Sequence, residues 1–563
     1  MLGWGALSEL PLSTLDDESV AALAVETLVD NEVRNFVYLV EIYAFQAQDQ
    51  VGSADIAALS ELPLSTIPES AEALETLVTF RFSNRPFITE VDDTPSAELY
   101  DPRVIQPLLV ERSLPDDGGA MAFTGVAEIV ANIVLDNADG GLDTLLTSYT
   151  VDGRRVIVRV GDRSATSIDD FEVIYDGAAV GYEHDEETVT LRLRSSLSKI
   201  DLPVTTHEYE GSGGVNGGAD LKLKPYPLCY GDAQNVTAVP VDATNRIYQV
   251  HDGRVNDITA VKERGRALTL TNDYTLDLTN GRFTLAASPA GLITADVQGD
   301  KSSGDYVVTA ADIARRLLID RIGYTAMQLD TNAFNQTAAD QPATVALFVG
   351  AVKTPGRDAL NLLLRPHGLF ITDDRAGRVT IGRFASGFAT DALVLEGKRD
   401  ILTIERRPAP IDPPAATIQV AYERNWTVQT EDVASALTLA QRQYLAEAER
   451  LESAESITAE NNHINAQSPE PVHSSFADSA DAEDEAGRLI GLHGVDRAIY
   501  VIRTPVGLWN TRLNQKCTVT YPRWNLRNGL TGYIVGIRED AQANEQEIRV
   551  FMHSSIVTAA RSL

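Results

Sequence analysis

The side chains best suited to chemistry are eight histidines, two cysteines and 81 carboxylates. The histidines form no HExxH pair and no other close metal-ligand spacing, although such spacing marks most zinc sites. Cys229 and Cys517 lie 288 residues apart, so the sequence offers neither a disulfide framework nor a cysteine zinc site. These patterns predict a chain without a resident metal.

Acid–base pairs and glycine-rich turns also fall short of a catalytic pattern. His207-Glu208 and His251-Asp252 are neighbours in the sequence, but neighbouring residues of a strand point to opposite faces. There is no GxSxG elbow, no Walker loop and no GxGxxG motif between a strand and a helix. We therefore predict no catalytic residue, no cofactor-binding residue and no cofactor.

Two further groups of residues are weaker candidates. Asp136, Asp139 and Asp143 flank a Gly-Gly pair, but they lack the spacing and the distal glutamate of an EF-hand, which favours a solvated turn. Three arginines in the first β-rich stretch are interpreted as surface charges or interface ion-pair partners: Arg103, Arg112 and Arg154.

A carbohydrate-active hydrolase stays open as an alternative, because a pair of carboxylates can be assembled in space from distant positions. The tryptophans that would stack against sugar rings are Trp426, Trp509 and Trp524. Tryptophans of this kind are more often buried in a core.

The elements that must position these residues belong to several domains, because 563 residues exceed what one core usually organises. The net charge of −34 argues against a general nucleic-acid binder or a protein of anionic membranes, both of which need basic faces. No apolar run is long enough to span a bilayer. These features predict a soluble multidomain protein made in a reducing cytosol.

The amino-terminal stretch contains an internal repeat. The octapeptide LSELPLST occurs at residues 7–14 and again at residues 59–66, and the first 75 residues hold fourteen acids and one base, Arg34. Two copies are too few for a solenoid. Between them, residues 36–45 read as one strand. The stretch is either a strand-and-turn decoration or an arm that pairs with the sheet edge of another subunit, so a chain lacking residues 1–70 is expected to keep its body folded.

Short β-rich runs with period-2 patterning dominate the rest of the chain. Turns are expected at Asp152-Gly153, Asp176-Gly177 and Asp252-Gly253, and a linker or mobile loop at residues 211–218. The expected strands are at residues 78–82, 155–160, 171–175, 188–194, 247–250, 281–285, 517–521, 532–538 and 547–552.

Helical periodicity is local. Thr309 is expected to cap a helix over residues 310–322 that ends at Gly323. A second helix over residues 357–364 should stop at Pro366, before a hairpin over residues 369–382. A long helix is expected over residues 430–455, and residues 456–486 should be an acidic loop or a partly ordered segment. The predicted class is β-dominated α+β.

Motifs in a fixed order then suggest a family. They are TFRFSNRPFIT at residues 79–89, DDTP at 92–95, YDPRVIQP at 100–107, NADG at 137–140, VDGRRV at 151–156, KPYPLCYG at 224–231, NV at 235–236, IYQVHDG at 247–253, DYTLDLTNGRF at 273–283 and YERNW at 422–426. In this order they resemble the tail hub (tail-tip baseplate hub) proteins of long-tailed bacteriophages and related gene-transfer particles, chiefly those of α-proteobacterial hosts.

The resemblance implies a multidomain chain of tail-tube-like β-barrels with inserted and appended small domains. It implies a catalytically silent structural protein, in which three copies form a ring that closes or extends the tail channel. The implied partners are the distal tail protein ring, the tape-measure protein and a central fibre or receptor-binding proteins. Genome DNA passes through without specific binding, and the host envelope is met only at infection. The implied location is the tip of a virion tail assembled in the host cytoplasm.

We accordingly divide the chain into five regions: an acidic arm at 1–70, a first tube-like region at 71–210, a second β domain at 211–305, a helix-plus-hairpin region at 306–405, and a helix, acidic loop and carboxyl-terminal β domain at 406–563. Acids lining the channel would repel the phosphate backbone. Besides the hydrolase, a glycan-binding adhesin at the tail tip stays open as an alternative.

Overall fold

The computed structural model describes residues 36–46, 77–116, 118–385, 392–505 and 511–553. Strands dominate it, in several sheets and small units, which confirms the β-dominated multidomain class. Within these ranges the sheets stay open and do not close on themselves as barrels. None of the helices in the same ranges is long and apolar enough to cross a membrane.

The amino-terminal part is built mainly from antiparallel strands. Its elements are β1 (Val37–Gln46), β2 (Leu77–Ser83), β3 (Phe87–Ile88), β4 (Leu99–Tyr100), β5 (Val104–Ser113), β6 (Gly125–Val126), β7 (Glu128–Asp136), α1 (Asp143–Ser148), β8 (Tyr149–Thr150), β9 (Arg155–Gly161), β10 (Glu172–His184) and β11 (Thr188–Ser195). The strands expected at residues 78–82, 155–160, 171–175 and 188–194 are confirmed.

Strand β1 is buried on both faces. Val40 and Ile42 pack into the main core of the first sheet, whereas Leu39 packs against the β3–β4 hairpin through Phe87 and Tyr100. The strand lies between β2 and β9 and pairs with both in antiparallel register. The strand predicted over residues 36–45 is therefore confirmed, and it belongs to the first sheet.

The second part is a β unit of two sheets. Its strands are β12 (Leu228–Thr237), β13 (Val239–Asp242), β14 (Ile247–Gln249), β15 (Val255–Glu263), β16 (Arg266–Ala267), β17 (Tyr274–Asp277), β18 (Arg282–Leu285) and β19 (Ile293–Asp300). One sheet has the order β16-β15-β19-β12 and the other β13-β14-β18-β17. Tyr248, Phe283 and Val297 are among the side chains that form its core.

Helices and a hairpin follow. They are α2 (Ala310–Arg316), α3 (Thr331–Asp340), β20 (Ala346–Val349), α4 (Gly356–Leu364), β21 (Leu369–Asp373), β22 (Val379–Arg383), β23 (Leu393–Glu396), α5 (Gly397–Asp400) and β24 (Thr403–Pro408). Strand β20 extends the β12 edge of the preceding sheet. The hairpin β21–β22 is confirmed, with Ile371 opposite Ile381.

The expected helix signals are also confirmed. The Thr309 side chain accepts a hydrogen bond from the Asp312 N–H (3.2 Å), and the helix continues as a π-helical turn to Ile322. It ends at Gly323, whose φ of 86° is in the left-handed region that favours glycine. Helix α4 passes into a short 3₁₀ turn at Pro366 and ends before Gly368.

The last part returns to strands. Its elements are β25 (Thr417–Tyr422), α6 (Leu439–Ala446), β26 (Arg450–Glu455), α7 (Ile457–Asn462), β27 (Val472–Phe476), α8 (Ser479–His493), β28 (Arg497–Thr504), β29 (Lys516–Thr520), β30 (Leu530–Asp540) and β31 (Glu545–His553). Helix α8 packs on β25 and β26, and the central core of the chain is shared by α2, α4, β21 and β25.

One large sheet joins the two ends of the chain. Its order is β2-β1-β9-β10-β11-β7-β5-β30-β31-β28-β24, with β23, β29 and β8 paired beside this path. The seam is the antiparallel pair β5–β30, in which Arg112 lies opposite Ile537. The strands near residue 110 and residue 540 thus form one continuous hydrogen-bonded surface. The division into five regions stays a prediction, but the first and last regions share this sheet.

The helix predicted over residues 430–455 is wrong. Only α6 is helical, and Arg450–Glu455 form strand β26 against β25. The side-chain amide of Asn425 donates hydrogen bonds to the carbonyl oxygens of Leu445 (3.1 Å) and Glu447 (3.0 Å), which ends the helix from outside its own sequence. Tertiary partners overrode the local helical pattern.

The acidic loop predicted over residues 456–486 is also wrong, because α7, β27 and most of α8 lie there. Ala482, Ala486 and Leu489 form the buried stripe of α8. These apolar residues at helical spacing are the signal that the high acid content concealed.

One turn prediction needs correction. Asp176-Gly177 lies inside β10, where bulges on either side let the strand bend without a turn. Residues 211–218 form a loop that contains its own hydrogen bonds, including Gly213 N–H to the Gly217 carbonyl (2.8 Å), and its mobility stays a prediction. The turn at Asp152-Gly153 is confirmed, with a φ of 70° at Gly153.

Both copies of LSELPLST lie outside the described residues. The expectation that residues 1–70 can be removed with the body intact is wrong for β1, because that deletion takes away the interior strand that pairs with both β2 and β9. The acidic arm stays a prediction for the flanking segments alone.

Deleting residues 1–70 should therefore unfold the first sheet, whereas a deletion that stops at residue 35 should retain it. The measurement is thermal unfolding combined with limited proteolysis of the 77–195 region. Ile42→Ala, at a fully buried position, should cost about 2–5 kcal/mol. The matched control Leu439→Ala, at an exposed position, should change stability by about 0.5 kcal/mol or less. Equal behaviour of the two deletions would contradict the placement of β1.

Candidate functional site

The two thiols are buried structural groups. Cys229 lies in β12 and Cys517 in β29, and both are fully buried. Burial raises the pKa of the Cys229 thiol strongly and that of Cys517 to about 12, so neither is a ready thiolate at neutral pH. In the part of the chain that the structure describes, no three His, Cys, Asp or Glu residues come together as a metal site would need.

The histidines of His207-Glu208 and His251-Asp252 each contact an acid other than their neighbour in the sequence. Buried His251 accepts a hydrogen bond at Nδ1 from the Cys229 N–H (3.0 Å) and places Nε2 3.2 Å from Asp300. Burial lowers the pKa of His251, which favours the neutral ring with its proton on Nε2. Asp300 also receives Arg316 from α2 at 3.0 Å. This network fastens the second β unit to the helix that follows it.

A similar network forms around Asp252, in which Arg321 takes the place of Arg316. His207 Nδ1 lies 2.8 Å from an oxygen of Asp252, and Arg321 donates to that same oxygen and to the Asp252 carbonyl (2.7 Å). Arg321 also donates to the Tyr230 hydroxyl (3.2 Å). These ionisable groups are therefore satisfied by one another across the boundary between the sheet and the helix.

A buried ion cluster crosses the β5–β30 seam. Glu539 of β30, with its side chain fully buried, accepts hydrogen bonds from Arg112 of β5 (3.1 Å), Arg375 of the β21–β22 turn (2.8 Å) and Gln546 (2.9 Å). Asp373 lies 4.0 Å from Arg112. The interpretation of Arg112 as a surface charge is wrong, because its side chain is buried among these partners.

The aspartates at residues 136–143 form a turn. Arg103 makes two hydrogen bonds to Asp139 (2.7 and 2.8 Å), and this pairing holds the pKa of Asp139 well below its usual range. A Cβ on Gly141 would lie 2.4 Å from the Arg103 guanidinium, so only glycine leaves room for that contact. The solvated-turn interpretation is confirmed. Arg154 is partly buried, with its guanidinium over the Phe45 ring (5.3 Å).

Two further histidines are buried without an acid partner. His367, after α4, donates from Nδ1 to the Leu363 carbonyl and accepts at Nε2 from the Ser475 N–H (3.3 Å). Burial lowers the pKa of His367 to about 4 and that of His493 to about 3. Both rings are therefore neutral core side chains near neutral pH.

Trp426 lies in the lining of a cleft. A half-open cleft of about 300 Å³ is bordered by Asp232, Gln234, Glu423, Arg424, Trp426 and Tyr444, among others. Burial, with a smaller contribution from Asp296, raises the pKa of Asp232. Of the other two candidate tryptophans, Trp524 is half exposed beside Tyr521, and Trp509 lies outside the described residues.

Most of this arrangement has no signal in the sequence. Arg424 and Trp426 belong to the YERNW motif, but nothing in the sequence links them to Asp232, almost 200 residues earlier. Likewise, Glu485 gave no local sign that Arg383 (2.8 Å) and Arg488 (2.6 Å) would enclose it. A second half-open cleft of about 450 Å³ lies between α4 and the β5–β30 seam, with Arg357, Arg365 and Arg549 in its lining.

No family model matches the chain, and no curated protein matches it in sequence. Among solved structures, similarity is found to a tail protein from Neisseria meningitidis MC58 (9% identity, TM-score 0.37, covering 79% of this chain and 92% of that one). The 43 kDa tail protein of prophage MuSo2 from Shewanella oneidensis is 11% identical (TM-score 0.35, 81% and 96%). Prophage tail protein gp18 from Listeria monocytogenes EGD-e is 7% identical (TM-score 0.36, 82% and 94%). All three neighbours are tail proteins.

Replacing Arg112 with Gln should destabilise the chain by about 3–5 kcal/mol, because Glu539 would stay buried with a positive partner missing. The matched control is Arg155→Gln, which breaks the exposed pair with Asp176 and should cost about 1 kcal/mol or less. Chemical denaturation followed by near-ultraviolet circular dichroism measures both. If Arg112→Gln lowers the free energy of unfolding no more than Arg155→Gln does, the β5–β30 seam does not depend on the buried ion cluster around Glu539.

Lowering the pH should destabilise the chain through His367. The folded-state pKa of about 4 lies below the ordinary value of 6.5, so the unfolded chain takes up a proton that the folded chain refuses. The stabilising contribution is present above pH 6.5 and is lost as the pH falls toward 4, by roughly 3 kcal/mol in total. The pH profile of unfolding free energy should be flatter for His367→Gln, and unchanged for the exposed control His184→Gln.

Proposed function

We propose that the chain is a structural hub protein of a bacteriophage tail tip or baseplate. Three copies form a ring that closes or extends the tail channel. The ring connects the distal tail protein ring and the tape-measure protein to the central fibre or receptor-binding proteins. The chain acts without catalysis, and the hub is assembled in the host cytoplasm and carried at the tip of the virion tail.

The observation that carries this proposal is how the motif residues are used. Arg81, Tyr100 and Arg103 come from the motifs that resemble tail hub proteins. Tyr100 donates a hydrogen bond to Glu41 (2.6 Å), Arg81 lies 4.0 Å from the same carboxylate, and Arg103 binds Asp139. The motif side chains thus fasten strands and turns of the first sheet to one another, as expected of scaffold residues in a structural protein.

The charge distribution supports a role as a DNA conduit. The chain carries 81 acidic and 47 basic side chains, and several of its arginines are held inside ion clusters, including Arg112, Arg316 and Arg383. We expect the acidic excess to line the channel, where it would repel a phosphate backbone and let a genome pass without sticking.

A glycan-binding adhesin is the second candidate, and the cleft at Trp426 is the observation that favours it. Cleavage of a sugar by Asp232 and Glu423 is less well supported, because Glu423 is engaged in an ion pair with Arg450. Binding and cleavage are separable by assaying the same purified chain for both.

The purified chain should have about three times the 61.0 kDa mass of one copy in light scattering, and the same fraction should show threefold particles with an axial opening in negative stain. Mixing with the distal tail protein should join the two rings in one sedimenting complex. A chain that stays monomeric, and that does not bind the distal tail protein, would contradict the hub assignment.

A further inference from the structure

The cleft at Trp426 has walls from two parts of the chain that are joined firmly. Strand β12 supplies Asp232 and Gln234, and the segment after β25 supplies Arg424 and Trp426. The backbone N–H of Trp426 donates to the backbone carbonyl of Gln234 (3.3 Å), and the side-chain amide of Asn235 donates to Asn425 (2.8 Å) and to the Thr427 carbonyl (2.7 Å). The cleft is thus preformed at the contact between two units, a common place for small-molecule sites.

Arg424 is unusual among the arginines of this acidic chain. Its guanidinium lies over the Trp426 ring, 4.3 Å from the ring centre, and burial lowers its pKa. Within the described residues no carboxylate lies at ion-pair distance from it, and it makes no hydrogen bond. The two nearby acids are engaged elsewhere, Glu423 with Arg450 and Glu449 with His473. A half-buried guanidinium therefore presents its donors to the cleft in a fixed position.

Asp232 adds a hydrogen-bond acceptor to the same cleft, whereas Arg424 offers donors. Its half-buried carboxylate accepts a hydrogen bond from the Gln234 amide (2.7 Å), and burial disfavours its charged form. A ligand that fits must bring an anionic group to Arg424 and hydrogen-bond donors to Asp232. Glu423 adds a second carboxylate to the lining.

We propose that this cleft binds an acidic saccharide, a sugar ring that carries one carboxylate. The sugar carboxylate pairs with the guanidinium of Arg424, and ring hydroxyls donate to Asp232 and accept from the amide of Gln234. The volume of about 300 Å³ is at the small end of the range for ligand sites and suits a short saccharide. An acidic peptide fits less well, because its several carboxylates would meet those of Asp232 and Glu423.

The test is titration calorimetry of the full chain with the methyl glycoside of galacturonic acid, a single ring with one carboxylate, and, as the uncharged counterpart, the methyl glycoside of galactose. The acidic sugar should bind at least ten-fold more tightly. Arg424→Gln should weaken its binding about ten- to hundred-fold, the effect of losing a charge-assisted hydrogen bond, and should remove the preference for the acid. The control Arg399→Gln, at an exposed position outside this lining, should bind as the wild type does.

Arg424→Lys tests whether a loss of binding reflects a folding defect. It retains the charge without the planar guanidinium, so it should keep an intermediate affinity. Equal affinity for the two sugars, no binding of either, or wild-type affinity in Arg424→Gln overturns the proposal. A triglutamate peptide that binds as tightly as the acidic sugar assigns the cleft to a protein partner and also overturns it. The saccharide site stands apart from the hub assignment: a trimeric ring without sugar binding removes only the former, and a sugar-binding monomer that ignores the distal tail protein removes only the latter.

Discussion

The pairing of β5 with β30 is the contact on which the rest of the molecule depends, because it joins strands more than 400 residues apart into one sheet. Hydrogen bonds between strands do not by themselves select a partner so far along the chain. The buried carboxylate of Glu539 pairs with Arg112 and Arg375 and thereby selects this register. Any other register would leave a charged side chain in the core without its partner. Burial also raises the pKa of the neighbouring Asp373 to about 6.

Arginine–carboxylate ion pairs also lie where other units of the chain meet. Asp300 and Asp252 of the second β unit take Arg316 and Arg321 from α2 and the turn that extends it, and Glu485 of α8 takes Arg383 from β22. Each is a short charged contact across a boundary that apolar packing alone would leave free to slide. A chain rich in acids has many candidate carboxylates, so the placement of its scarcer arginines determines which units join.

Arg424 differs from these arginines in the groups that it contacts. Whereas the seam arginines are enclosed by carboxylates, Arg424 is stacked on Trp426 and faces a cleft. Two uses of arginine are thus proposed within one chain: the first group holds the scaffold of the proposed hub together, and Arg424 is the recognition point of the proposed site for a charged sugar.

The sequence by itself determined the elements whose signals are local. Thr309 and Gly323 bounded a helix, the turn after Asp373 set a hairpin, and alternating runs marked the strands at both ends of the chain. Tertiary structure alone decided that residues 450–455 pair as a strand, that β1 lies between β2 and β9, and that Arg112 is buried. The physical reason is that caps and side-chain periodicity act within a few residues. Strand partners, helix ends such as the one fixed by Asn425, and the burial of a charge depend on atoms brought from hundreds of residues away.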